Sequence, residues 1–240
     1  MENNKVLVEQ ENGILTLTLN NPSKMNCIGF LMLNQLNDAI CEAGAREEVN
    51  VVLIKGAGER AFSTGADLKE FKSLKPEDEV RWIEFGNSVF NKIESLNKPT
   101  VAFIDGYAIG GGLELALACD FRLGTSRAVL SSPELQFGWL PGWGGMTRMR
   151  RLFGEAVAKE VIFLCQKIEA EKALQFGMLT FLVESESSEE FTSLIQHLKS
   201  LDPSAFAMAK AAIADEHRTT SGVDIKFDIL AMQLAQQVNR

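Results

Sequence analysis

The stretch from Thr100 to Asp120, TVAFIDGYAIGGGLELALACD, constrains this chain more than any other. A short apolar run of β type, Thr100 to Ile104, leads into a turn at Asp105-Gly106. Three consecutive glycines, Gly110 to Gly112, then precede a helical pattern with Glu114 in or near its first turn. Glycine lets a backbone approach a ligand closely and adopt conformations that a Cβ forbids. The start of a helix leaves unpaired N–H groups and a positive dipole end, which suits an anion or a developing oxyanion. A carboxylate one turn into such a helix can do proton chemistry beside that hole. The same residues fit a packed glycine turn whose glutamate complements the dipole equally well. The stretch alone does not choose.

The bulk properties remove several classes. At 240 residues the chain buries a large core, as one long domain or one domain with an appended element. Its 46% hydrophobic and 23% charged content argues for a globular protein and against disorder. A net charge of −8 disfavours a generic nucleic-acid surface. There is no run of about eighteen apolar residues to span a membrane, and the N-terminal MENNKVLVEQENG has no apolar secretory core. A cytoplasmic location is the expectation. Cys27, Cys41, Cys119 and Cys165 lie far apart, which reads as buried small hydrophobes in a reducing compartment. His197 and His217 are the only histidines and have no metal-ligand spacing, so no metal site is expected.

Along the chain, Lys5–Glu9 and Gly13–Asn20 read as a hairpin around Asn12-Gly13. Phe30, Leu33, Leu36, Ile40 and Ala43 recur at helical spacing. Val51–Lys55 reads as a buried, parallel strand. The following GAGERAFSTGADLKEF formally matches a dinucleotide fingerprint at Gly56, Gly58 and Ala61. That reading fails, because Ser63-Thr64-Gly65 interrupts the helix the fingerprint needs, and the acids twenty residues on follow Pro76 and start a helix. The segment instead predicts a loop with an exposed Gly65-Ala66 backbone before a helical turn at Asp67–Phe71. A helix from Pro76 to Leu96 follows, then short strands at Phe121–Gly124 and Val129-Leu130. The similar strand–helix spacing at Val51 and Thr100 suggests repeated ββα turns of a spiral. Helices follow from near Met146, including Glu169–Phe176 closed by Gly177, with a last short strand at Leu179–Val183. Asp202-Pro203 starts a further helix. In the final one Val223, Phe227, Leu230, Leu234 and Val238 share one face, for a partner subunit or the chain's own core.

Three glycine-rich loops remain as candidates for chemistry: Ser63–Asp67, Gly110–Gly112 and Pro133–Gly145. Two carboxylates stand in them, Glu114 and Glu134. A pair of carboxyl groups flanking one site can hold a water and divide acid and base roles. The N–H groups of Ala66 and Gly111, from separate loops, could polarise one carbonyl and stabilise an enolate. Taken singly, Glu134 also fits an ordinary Pro-Glu turn.

In combination, AFSTGADLKEF, KPTVAFIDGYAIGGGLELALACDFRL and SSPELQFGWLPGWGGMTRMRRLFGE resemble the enoyl-CoA hydratase/isomerase (crotonase) family. The likeness runs from about residue 5 to 215, with NPSKMN early and IEAEKALQFGML late. It implies an α/β fold: a spiral of ββα turns with two nearly perpendicular sheets, spanning residues 1–185. A C-terminal helical segment, 186–240, would build homotrimers, often paired into hexamers. The resemblance makes Ala66 and Gly111 the oxyanion hole for a thioester carbonyl, and Glu114 and Glu134 the catalytic pair. These would add water syn across a 2-enoyl-CoA to give a 3-hydroxyacyl-CoA, with Glu114 activating the water and Glu134 delivering a proton to Cα. Lys24, Ala66, Asp67, Leu68, Lys69 and Gly111 match substrate- and CoA-binding positions. No separate cofactor is implied, because CoA is part of the substrate.

The chain departs from the family pattern at Cys27, where alanine is frequent, and at Trp143, where the residue is more often small. The bulk of Trp143 is expected to shorten or reshape the acyl pocket. Retention of both glutamates favours hydration over branches that keep one: isomerases, decarboxylases and carboxymethylproline-synthase-like C–C bond formers. IFLCQKIEA and the surroundings of Trp82 keep the last of these as a rival. An RNA-binding role, known in one branch, would need a basic face, and Arg148, Arg150 and Arg151 form the only dense cluster.

Overall fold

Strands added in pairs give the chain its shape, and residues 4–214 are described in the computed structural model. The hairpin comes first, β1 (Val6–Glu11) antiparallel to β2 (Ile14–Leu19), turning through Asn12 and Gly13, both at positive φ. Leu15, Leu17 and Leu19 are buried on it, as their alternation requires. Helix α1 (Phe30–Ala45) buries Met32, Leu33, Leu36, Ala39, Ile40 and Ala43 at helical spacing.

Three ββα turns follow. The first is β3 (Val51–Gly56), β4 (Ala61–Ser63), the short α2 (Leu68–Phe71) and α3 (Pro76–Glu94). The second is β5 (Thr100–Ile104), β6 (Tyr107–Ile109) and α4 (Gly111–Ala118). The third is β7 (Phe121–Gly124), β8 (Val129–Ser131) and α5 (Gly145–Leu164), whose two helical segments meet at Gly154. Strand β9 (Ile168–Glu169), α6 (Ala170–Gln175), β10 (Phe181–Leu182), α7 (Glu189–Ser200) and α8 (Pro203–Ala214) complete the described chain. The first strand of each turn joins a six-stranded sheet of order β1-β2-β3-β5-β7-β10; the second joins a four-stranded sheet, β4-β6-β8-β9. Apart from the β1–β2 and β8–β9 pairs, neighbours run parallel.

The central strands β3 and β5 of the larger sheet are covered on both faces, which explains their continuous apolar runs, whereas the edge strand β1 is largely exposed. Val52, Ile54, Ala102 and Ile104 enter the main core with α1, α3 and α4. Their alternating neighbours Val51, Leu53, Val101 and Phe103 meet Phe191, Ile195 and Leu198 of α7 on the opposite face. Asp120 Oδ2 accepts from the N–H and hydroxyl of Thr100, both at 2.8 Å, and pairs with Lys210 at 2.7 Å. The two ends of the stretch that opens at Thr100 are therefore tied together and to α8.

Several sequence expectations change. Residues 61–63 are a strand rather than loop, and 107–109 form a second short strand after the Asp105-Gly106 turn; at three residues each they are too short to show a period. The last strand narrows to Phe181–Leu182. Cys27, Cys119 and Cys165 are buried, but Cys41 is exposed on the outer side of α1. The final amphipathic stripe, Val223 to Val238, and His217 lie outside the described residues. Gly56 and Gly58 lead into β4 and not a helix, so the dinucleotide-like spacing there forms no phosphate-binding turn.

Candidate active site

Gly65 and Gly111 bring two of the glycine loops into backbone contact. Gly65 has φ +82°, and a Cβ on it would lie 2.6 Å from the Gly111 nitrogen. A Cβ on Gly111 would in turn sit 3.4 Å from the nitrogen of Ala66. Ala66 itself bridges Ile28, whose N–H donates to Gly65 O and whose carbonyl accepts from Asp67 N. The amide nitrogens of Ala66 and Gly111 are thus neighbours, and neither donates to an acceptor among the described residues. Gly111 opens α4, so its amide is one of the unpaired donors at a helix start.

Helix α4 is buried along its whole length, and Glu114 is its only ionisable residue. At 4% exposure its carboxylate is held by two backbone donors, Trp143 N and Gly145 N, each 2.8 Å from Oε1. Burial pushes its pKa up, the nearby Glu134 pushes it further, and the two amides and Arg148 pull it back, leaving it at about 7. Glu134 begins a 3-10 turn after Pro133. Its Oε2 accepts from the Ser132 hydroxyl at 2.7 Å, and its Oε1 would be 3.0 Å from a Cβ on Gly110. Burial raises its pKa, against the pull of Ser132. Two carboxyl groups with raised pKa values thus flank the glycine turn that carries the free amides. This arrangement suits proton transfer at an atom next to a polarised carbonyl.

Asp67 caps α2, its Oδ1 accepting from Lys69 N and Glu70 N, while its Oδ2 pairs with Lys24 at 2.9 Å. Lys24, Asp67, Leu68 and Lys69 therefore share one partly exposed rim beside Ala66. Cys27 lies under this rim, where burial and then Asp67 push its thiol up to about 11. Among the described residues no cluster of His, Cys, Asp and Glu could hold a metal, and no helix is long and apolar enough to cross a membrane.

Sequence reasoning missed two supports. Ser132 directly follows β8, and nothing but its polarity marks it. Arg148 is 3% exposed and donates to Glu94 Oε2, Asn91 Oδ1 and the carbonyl of Trp143, fastening the Glu114-holding loop to α3. The i, i+3, i+4 register Gly145, Arg148, Met149 is its signal, since all three face inward.

Residues 9–238 match the model of the family described as enoyl-CoA hydratase/isomerase. The chain is 36% identical over 214 residues to a short-chain-enoyl-CoA hydratase of Clostridium acetobutylicum, covering 89% of this chain and 82% of that protein. It is 30% identical over 235 residues to a crotonyl-CoA hydratase of Syntrophomonas wolfei, covering 97% and 90%. The crystal structure of an enoyl-CoA hydratase from Bacillus anthracis superposes with a TM-score of 0.90 at 30% identity, over 95% of this chain and 90% of that one. The ββα spiral, its two sheets and these matches agree: the chain belongs to the enoyl-CoA hydratase/isomerase (crotonase) family.

Proposed function

We propose that this protein is an enoyl-CoA hydratase that adds water syn across the double bond of a 2-enoyl-CoA. One observation carries the reading most: two raised-pKa carboxyl groups, Glu114 and Glu134, flank the turn bearing the unpaired amides of Ala66 and Gly111. The names of the hydratase relatives point to the same reaction.

The thioester oxygen accepts from Ala66 N–H and Gly111 N–H, which draws electrons out of the conjugated double bond. Ionised Glu114 takes a proton from the water as its oxygen bonds to C3. The displaced π electrons move toward the thioester, and the enolate oxygen gains charge against the two amides. Protonated Glu134 gives its proton to C2 on the same face. The product is a 3-hydroxyacyl-CoA; one proton then passes between the glutamates to restore the starting state. The pair shares this titration, so its two apparent pKa values belong to both groups. CoA enters as part of the substrate and no further cofactor takes part. Lys24 and the Ala66–Lys69 rim hold the CoA portion, and the working protein is a cytoplasmic trimer or a pair of trimers.

The test is hydration of crotonyl-CoA by the purified protein, followed through loss of the enoyl-thioester absorbance. Glu134→Gln should lower kcat by about 100-fold or more, the usual scale for general acid catalysis. Absence of turnover on every 2-enoyl-CoA, with turnover of a 3-enoyl-CoA instead, would replace hydration by double-bond isomerisation.

A further inference from the structure

We infer that Trp143, seated on Gly86 of α3, closes the acyl side of this site just beyond the oxyanion amides and limits the enzyme to short acyl chains. The inference rests on the reading of Ala66 and Gly111 as thioester-binding amides. A Cβ on Gly111 would lie 2.6 Å from Cζ3 of the Trp143 indole and 3.4 Å from Ala66 N. The ring and the Ala66 amide therefore border the same side of Gly111. An acyl chain whose carbonyl sits on these amides meets the ring within a few carbons.

The indole has little freedom to swing aside. Trp143 is 3% exposed, and Trp82 and Phe90 pack against it edge-on with ring centroids at 4.9 and 5.4 Å. Its backbone is held at both ends, the N–H by Glu114 and the carbonyl by Arg148. Gly86 lies in the interior of α3, where glycine is a poor helix former. A Cβ there would fall 2.2 Å from Trp143 Nε1, so the glycine is the seat that admits the ring. Behind it the indole N–H of Trp82 is buried without an acceptor. Phenylalanine would fill that space without leaving a polar atom unpaired.

The experiment compares kcat/KM for 2-enoyl-CoAs of four, six, eight and ten carbons in wild type, Trp143→Ala and the milder Trp143→Phe. Kd values for butyryl- and decanoyl-CoA are measured alongside. Wild type should lose at least about 100-fold between four and ten carbons, each methylene that cannot be seated costing about tenfold or more. Trp143→Ala should raise the ten-to-four-carbon ratio by at least about 30-fold, and Trp143→Phe should extend the range only to six or eight. Equal efficiency at four and ten carbons in wild type, or an unchanged profile in both variants, would overturn the inference. Should wild type bind acyl-CoAs but hydrate none, the hydratase reading fails on its own. The butyryl-to-decanoyl Kd ratio then still decides on the ring: a preference for butyryl-CoA that both variants relax supports the plug, and an unaltered ratio removes it.

Discussion

Arg148 grips Trp143 by its carbonyl, at 2.7 Å from Nη1, while the N–H of the same tryptophan grips Glu114 at 2.8 Å. The other guanidinium nitrogens reach Glu94 Oε2 at 2.8 Å and Asn91 Oδ1 at 2.6 Å on α3. A single buried cation thus fixes the loop that orients the proposed general base, and its charge also favours the ionised form of that base. Arg148→Met should destabilise the protein by about 2 kcal/mol, because the buried carbonyl of Trp143 loses its donor, while the part-exposed Glu94, which keeps Arg151, and the exposed Asn91 lose theirs at lower cost. It should also move the acid limb of the pH–kcat/KM profile upward, as Glu134 and burial then act on Glu114 against the two amides alone. Arg148→Lys keeps the charge but not the three-point geometry. It should return the limb toward its wild-type position while kcat stays depressed, a split that lost stability alone would not give.

Glu114 works against the fold at neutral pH. Its folded pKa of about 7 lies above the ordinary glutamate value of 4.5, so the folded chain binds more protons than the unfolded chain between these pH values. Stability therefore falls as pH rises from about 4.5 to about 7 and levels off above that. Glu114→Gln keeps an oxygen for Trp143 N and Gly145 N but carries no charge to bury. Thermal unfolding should show the variant more stable than wild type at pH 8, by up to about 3 kcal/mol, with little difference at pH 4.5. Hydration should be lost at both pH values. A variant less stable at pH 8 would show that the carboxylate is better compensated than its surroundings indicate.

Much of this was legible in the residues, and the gaps have physical causes. The hairpin, the parallel Val51 and Thr100 strands and the amphipathic α1 and α3 follow from patterns long enough to show a period. Strands β4, β6 and β9, of two or three residues, show none and are defined only by the neighbours they pair with. Glu114 and Glu134 could be named as residue types in glycine-rich loops, but their shared site depends on β8 lying beside β6, a long-range fact. The bulk of Trp143 was visible, whereas its seat on Gly86 joins positions 57 residues apart. In the sequence Arg148 stands with Arg150 and Arg151 as one basic cluster. Only the position of the helix start at Gly145 separates the inward-facing arginine from the two exposed ones.

Ser132 tunes Glu134. Its hydroxyl donates to Oε2 at 2.7 Å and favours the ionised form, opposing the burial that raises this pKa. Without the hydroxyl the carboxyl group should hold its proton to higher pH. Ser132→Ala should extend the alkaline limb of the pH–kcat profile upward. It should also lower kcat by about tenfold, on the scale of one hydrogen bond to a charged group. An unshifted alkaline limb would mean that this limb reports a group other than Glu134.

Lys24 and Asp67 offer a separation of binding from chemistry. Lys24 is more than half exposed and pairs with Asp67 Oδ2, and the other carboxylate oxygen caps α2. If Lys24 contacts the CoA phosphates equally in ground and transition states, its loss raises KM and leaves kcat alone. Lys24→Ala should therefore raise KM for crotonyl-CoA several-fold, with an effect that shrinks as salt screens the phosphate contact. Asp67→Asn retains the cap oxygen and releases Lys24, so KM should stay level or fall. Asp67→Ala removes the cap as well, which costs about 1 kcal/mol of local helix stability, and the Ala66 amide beside it should lose its fixed direction. Only this third variant should lower kcat. If Asp67→Asn lowers kcat equally, the carboxylate charge itself takes part in the chemistry and the rim does more than bind.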